Sequence, residues 1–243
     1  MVGKIVTIVR TLNEERNIGK YCWAFQNISD MILVADGGST DNTVSIAKEI
    51  PKVKVRTFDK RVELQNGYWR NPDWEHINFL IEWAEDEGAE WIIFEDADDI
   101  PNYLLKASGW RLFEEAKTDI MLVTDIFLWG KDKHLIGLSQ PGTPGVWQPS
   151  LWAWRANQQI RTFGDPPHFQ FCYKDKFGKA IDFDKLPHEH IMPPYCRLHY
   201  NWITPEIAMS HVDYYRKSGL IPNMLHPLEF GGRLEPLLYW MKE

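Results

Sequence analysis

Trp91-Ile92-Ile93-Phe94-Glu95-Asp96-Ala97-Asp98-Asp99 sets a short apolar run directly against a cluster of carboxylates. Met31-Ile32-Leu33-Val34-Ala35, followed by Asp36-Gly37-Gly38-Ser39-Thr40-Asp41, repeats the arrangement earlier in the chain. Apolar runs of that length bounded by turn residues read as buried strands. Carboxylates are not buried unpaired, so both clusters should emerge at strand ends, in a cleft or at the surface. In an open parallel sheet those ends are where ligands bind. Asp96-Ala97-Asp98 also suits a hard divalent cation bound to a phosphate.

Working outward, Lys4 to Val9 reads as a first strand. Asn13 is placed to cap a helix whose apolar positions are Ile18, Tyr21, Cys22 and Phe25. The Gly-Gly-Ser-Thr-Asp turn leads into a helix carrying Val44, Ala47 and Ile50, which Pro51 ends. Val53 to Phe58 is a third strand. Asn71-Pro72 opens a helix with Ile77, Leu80, Ile81 and Ala84 on its buried stripe and Gly88 at its C-cap. Strand and helix alternate through this half, which predicts a parallel, doubly wound sheet. Beyond Pro101 the pattern loosens. A helix over Tyr103 to Ala116, strands over Ile120 to Leu128 and Trp147 to Trp154, and a helix over Ile207 to Lys217 are expected. A short amphipathic tail is expected around Leu234 to Trp240. Gly137 to Pro149 is Gly/Pro-rich, a mobile lid or a long connection. With no repeat and no linker, residues 1–243 are expected to form one compact domain. Residues 1–100 make the nucleotide-binding half and 101–243 the acceptor half.

The chain has 243 residues, 44% of them hydrophobic, enough for a full core. A net charge of -7 and a pI near 5.6 speak against a nucleic-acid surface. A phosphate-bearing ligand then needs a metal and local basic groups, for which Arg61, Arg70 and Arg155 are candidates. The three cysteines, Cys22, Cys172 and Cys196, are widely spaced with no CxxC. That suggests a reducing compartment and no zinc site. No apolar run approaches the roughly 18 residues that span a bilayer. The expected setting is the cytoplasm or the inner face of a membrane. The 12 tryptophans are read mainly as core residues.

Four pieces in order resemble the family-2 glycosyltransferases. They are Ile8-Val9-Arg10-Thr11-Leu12-Asn13-Glu14-Glu15, Asp36-Gly37-Gly38-Ser39-Thr40-Asp41-Asn42-Thr43, Asn78, and Phe94-Glu95-Asp96-Ala97-Asp98-Asp99. The resemblance implies a GT-A (Rossmann-like) fold, with a mostly parallel central sheet and flanking helices. It implies transfer of a sugar, with inversion, from a nucleotide-diphosphate donor to a hydroxyl of a glycan or lipid-linked acceptor. UDP is the favoured nucleotide and Mg2+ or Mn2+ the cofactor. A lipid-linked acceptor would be reached by peripheral membrane contact. By the same resemblance Thr11, Asn13, Glu14, Asp36 and Asn78 line the nucleotide-sugar pocket. Asp96 reaches the ribose or shares a metal with Asp98. Glu14 reads equally well as a first-turn carboxylate favoured by the helix dipole, and Asp41 as a helix cap.

The stretch Phe183-Asp184-Lys185-Leu186-Pro187-His188-Glu189-His190, followed by Arg197-Leu198-His199-Tyr200, resembles lipopolysaccharide-core sugar transferases. Pro187 and His190 depart from that pattern. The likeness makes Glu189 the candidate base, with Asp165 its rival. It makes His199 a third metal ligand or diphosphate contact, and Arg155 the basic end of a strand. A nucleotidyltransferase is disfavoured, because Thr11-Leu12-Asn13-Glu14-Glu15 stands where a Gly-rich phosphate loop would. A dehydrogenase is disfavoured because no GxGxxG follows the first strand. A non-catalytic sugar-nucleotide or glycan binder is the alternative from another class.

Overall fold

The structure, a computed structural model, describes residues 3–129, 133–136, 149–164, 172–182, 185–200, 205–218 and 233–236. The alternating half forms as its pattern predicts. Strands β1 (Ile5–Thr11), β2 (Met31–Asp36) and β3 (Val53–Thr57) are joined by helices α1 (Ile18–Phe25) and α2 (Thr43–Lys48). A small hairpin, β4 (Val62–Glu63) and β5 (Trp69–Arg70), precedes helix α3 (Asp73–Asp86) and strand β6 (Trp91–Phe94). Strands β6, β1, β2 and β3 lie side by side and parallel. Their apolar runs are continuous because both faces are covered. Val9, Val34, Trp91 and Ile93 pack toward α1 and α2, while Ile8, Leu33, Ile92 and Phe94 pack toward α3.

The second half overturns the expectation of a mostly parallel sheet. It comprises β7 (Asp99–Pro101), α4 (Tyr103–Ser108), α5 (Trp110–Glu115), β8 (Ile120–Trp129), β9 (Lys133–Ile136) and β10 (Pro149–Arg155). There follow β11 (Arg161–Phe163), β12 (Cys172–Lys174), β13 (Glu189–Ile191), β14 (Arg197–His199), α6 (Pro205–Lys217) and β15 (Arg233–Pro236). The main sheet runs β15-β9-β8-β10-β6-β1-β2-β3. Strand β10 is antiparallel to both β6 and β8, and β9 is antiparallel to β8 and β15. The sheet is therefore mixed. Parallel neighbours need a crossover of a dozen or more residues, usually helical, and among the described residues no helix lies between β8 and β10. Leu234 to Pro236, the start of the expected amphipathic tail, lie in strand β15, and the rest of that tail lies outside the described residues.

Strand β8 pairs with different strands at its two ends. Its first residues pair with β10 and with β13, whose Glu189 stands beside Met121. Its later residues pair with β14, whose Arg197 stands beside Asp125 and His199 beside Phe127. On its other edge β14 is antiparallel to β7, with His199 opposite Asp99. Carboxylates from the end of β6 thus meet residues a hundred positions later. Trp83, Trp91, Trp152 and Trp154 are buried, as core tryptophans should be, whereas Trp23, Trp69 and Trp110 are exposed. All three cysteines are free. Among the described residues no helix is long and apolar enough to cross a membrane.

Candidate metal centre and donor cleft

The chain leaves the β6 strand end as Glu95-Asp96-Ala97-Asp98 and turns at once into β7, the Asp99 amide donating to the Asp96 carbonyl at 2.9 Å. The Tyr200 amide donates to the Asp98 carbonyl at 2.9 Å and ties β14 to the turn. His199 Nδ1 lies 2.6 Å from Asp99 Oδ1, and His199 Nε2 lies 3.9 Å from Asp98 Oδ2. One ligand atom from each of Asp98, Asp99 and His199 falls within 4.8 Å of the others. Burial, together with the neighbouring Asp99 and Asp96, pushes the Asp98 carboxyl up to about 6 despite His199. Burial opposes charge on His199 as well, yet Asp99 and Asp98 outweigh it and hold the imidazole at about 9. A carboxyl that resists ionising, crowded by Asp99 and Asp96, is relieved by a cation. Carboxylate oxygens with one imidazole nitrogen suit a divalent cation.

Beneath this cluster is a buried ion network. Arg197 donates to Asp125 through Nε at 2.5 Å and Nη2 at 2.7 Å, and it also pairs with Glu95. Its Nε lies 3.7 Å from Asp99 Oδ1. Ser150 Oγ donates to Asp125 Oδ2 at 2.8 Å. Burial drives the Glu95 carboxyl well above the usual carboxylate range even against Arg197, and its Oε1 is buried without a hydrogen-bond partner. The planar guanidinium matches the Asp125 carboxylate two-for-two, a geometry lysine cannot supply.

Above the cluster opens a cleft of 680 Å³. Thr11, Glu14, Asp96 and Asp98 contribute to its lining, as do Trp69 of β5 and Tyr214 of α6. Arg10 also faces it. Arg10 Nε and Nη2 donate to Asp96 at 2.8 and 3.3 Å, and Arg10 Nη1 pairs with Asp73, which Arg70 also holds. Burial pulls against the Asp96 charge, but Arg10 keeps this carboxyl below its ordinary value. Glu14 behaves oppositely: burial, then the Asp98 charge, raise its carboxyl to about 8.

The structure gathers some of the residues singled out in the sequence and disperses others. Thr11, Asn13, Glu14, Asp96 and Asp98 share the cleft. Asn13 does not cap α1, which begins at Ile18 after Asn17; it adopts φ 60° and its Oδ1 accepts from the Thr40 amide at 2.8 Å. The Asp36 carboxylate accepts from the Gly38 and Ser39 amides at 3.0 and 2.9 Å and from the Thr11 and Ser39 hydroxyls. It therefore shapes the turn. Gly38 sits there at φ 92°, where a side chain would be strained and would collide with Arg61. Arg61 itself donates to the Gly37 and Gly38 carbonyls. Asn78 braces β11 against α3, donating to the Thr162 carbonyl and accepting from the Thr162 amide, both at 2.8 Å. Arg155 pairs with Trp91, at the start of β6, and binds Glu90 and Asp119 at the sheet end opposite the cluster.

Glu189 is likewise apart from the cluster. Its carboxylate accepts from the Lys117 and Thr118 amides. Met121 beside it and Phe127 beside His199 are separated by roughly 20 Å of strand. Asp165 and the stretch 137–148 lie outside the described residues. The sequence pattern assigns no role to Arg10, Asp73 or Asp125 and does not reveal that Asp99 faces His199. Asp99 and Arg197 stood inside quoted motifs, but only β14 pairing with β7 reveals their use.

Residues 7–177 match the family model described as glycosyl transferase family 2. The chain belongs to that family. Its Asp98, Asp99 and His199 form a cluster that could hold a metal ion. The matched residues end before β13 and β14, so Phe183 to Tyr200, which carry the narrower likeness to lipopolysaccharide-core transferases, lie beyond them. Among curated proteins none matches the chain at a significant level. Similar solved structures include S. aureus TarS, 18% identical over 64% of this chain and 29% of that one, with a TM-score of 0.43. TarS 1–349 in complex with UDP-GlcNAc is 18% identical over 64% of this chain and 46% of that one, with a TM-score of 0.43. Glucosyl-3-phosphoglycerate synthase from Mycobacterium tuberculosis, solved with Mn2+, UDP and glucosyl-3-phosphoglycerate, is 17% identical over 64% of this chain and 58% of that one, with a TM-score of 0.43. The chain spans less than two thirds of the length of each.

Proposed function

We propose that this glycosyltransferase is metal-dependent and inverting. It moves a sugar from a nucleoside-diphosphate donor, with UDP as the nucleotide, to a hydroxyl of a glycan or lipid-linked acceptor. The observation that carries the metal-dependent part is the position of Asp98, which lines the cleft while facing His199. A divalent cation there, Mg2+ or Mn2+, would neutralise the diphosphate and stabilise the departing nucleoside diphosphate. Thr11, Asn13 and Glu14 form the nucleoside end, beside the Gly38–Ser39 turn that Asp36 holds in shape. Arg10 fixes Asp96, and Arg70 adds positive charge along the diphosphate path. Asn78 and Arg155 serve the frame. Of the two carboxylates considered for the base, we retain Asp165, because Glu189 is held by two backbone amides at the far end of β8. The likeness to lipopolysaccharide-core transferases favours a saccharide acceptor, approached from the cytoplasmic side of a membrane when lipid-linked.

The test is release of UDP from a panel of UDP-sugars with Mn2+, in the wild type and in Asp98→Ala. Turnover should require both the metal and Asp98. Activity that survives chelation and survives the substitution in a folded protein refutes the reading.

A further inference from the structure

Asp98, Asp99 and His199 lie close enough to act as three equal ligands, but their contacts are unequal. Asp98 lines the cleft. Asp99 lies behind it, buried to 5% exposure in β7, directly opposite His199 on β14. Residues opposite each other in an antiparallel pair project from the same face. The carboxylate of Asp99 can only accept, so its 2.6 Å contact with His199 Nδ1 places a proton on that nitrogen. A neutral imidazole with its proton on Nδ1 has its lone pair on Nε2, the nitrogen that looks toward Asp98. Asp99 is itself held by the hydrogen bond its amide donates to the Asp96 carbonyl and by Arg197 at 3.7 Å.

We infer that Asp99 is a positioning residue rather than a ligand: it sets the tautomer and ring orientation of His199, so that Asp98 and His199 Nε2 take the cation. This rests on the metal-dependent reading of the site. A carboxylate that fixes a ligating histidine in this way commonly controls affinity by 10–100-fold. Replacing Asp99 by asparagine presents an amide that can donate to Nδ1. That favours the tautomer with its proton on Nε2, which cannot coordinate.

The experiment measures Mn2+ affinity, by electron paramagnetic resonance of the free ion, in the wild type, Asp99→Asn, His199→Gln and the double variant. Asp99→Asn should weaken Mn2+ binding by about 10–100-fold. In the His199→Gln background the same change should add nothing, because Asp99 acts only through the imidazole. Equal and additive losses would make Asp99 a ligand and overturn the inference, as would an unchanged affinity in Asp99→Asn. Nitrogen NMR of the Mg2+-loaded wild type gives a test free of any substitution: His199 should carry its proton on Nδ1, and a proton on Nε2 overturns the assignment. Absence of any Mn2+ binding in the wild type would instead sink the metal-dependent reading from which this one starts.

Discussion

Replacing Arg197 by methionine should be among the most damaging single changes available to this fold. Arg197 is 9% exposed and is shared by Asp125, Glu95 and Ser150. Methionine keeps much of the volume but leaves Asp125 and Glu95 buried without their cation. Removing one partner of a buried ion pair costs about 3–5 kcal/mol. At about 2–4 °C per kcal/mol for a chain of this size, the melting temperature should fall by roughly 6–20 °C. Glu95→Gln is the informative companion. Burial works against charge on the Glu95 carboxyl, so a neutral amide removes a charge that the site disfavours. Asp125 still holds Arg197 through both nitrogens. This change should cost less than about 1 kcal/mol, close to the cost of losing one net hydrogen bond. Urea denaturation of both variants at neutral pH decides the matter. An Arg197→Met protein within about 1 kcal/mol of wild type, or a Glu95→Gln protein destabilised as much as Arg197→Met, would refute the reasoning.

In the metal-free protein, His199 is held near 9 against an ordinary 6.5, so its contribution is fully present below 6.5 and is lost as pH rises through 9. The melting temperature should therefore decline over that window, and His199→Gln should flatten the decline. Glu189→Gln should leave transfer intact and destabilise the fold by about 1–2 kcal/mol through weaker acceptance from Lys117 and Thr118, whereas Asp165→Asn should abolish transfer. Turnover lost in Glu189→Gln and kept in Asp165→Asn would reverse the choice of base. Asn78→Ala should leave the Thr162 amide and carbonyl without their side-chain partner and cost about 1–3 kcal/mol, with faster hydrogen exchange confined to β11 and β12.

The legible parts of this protein were those set by local pattern. The run Met31 to Ala35 and the run Trp91 to Phe94 formed strands because each is too apolar to lie anywhere but inside, and the helices between them forced parallel pairing. The sheet beyond Pro101 was misread because direction is a property of pairs: nothing in Pro149 to Arg155 says that it will insert antiparallel beside β6. Site residues divided the same way. The place of Asp98 at the cleft was legible because it lies just past the end of a buried strand. Asp36 and Asn78 carry the same kind of motif evidence, but their side chains are spent on Ser39 and on Thr162.

By itself the sequence determined the strand-helix alternation of the first half and the exit of Asp96, Asp98 and Asp99 at a strand end. These follow from short-range constraints: apolar runs must be buried and carboxylates must reach water, a partner or a cation. Only the tertiary structure decided that Arg10 would hold Asp96, that Arg197 would bridge Glu95 and Asp125, that Asp99 would face the His199 ring, and that Glu189 would sit at the far end of β8. Each of those contacts joins residues 72 to 102 positions apart or depends on register along β8, and no local sequence window contains both partners.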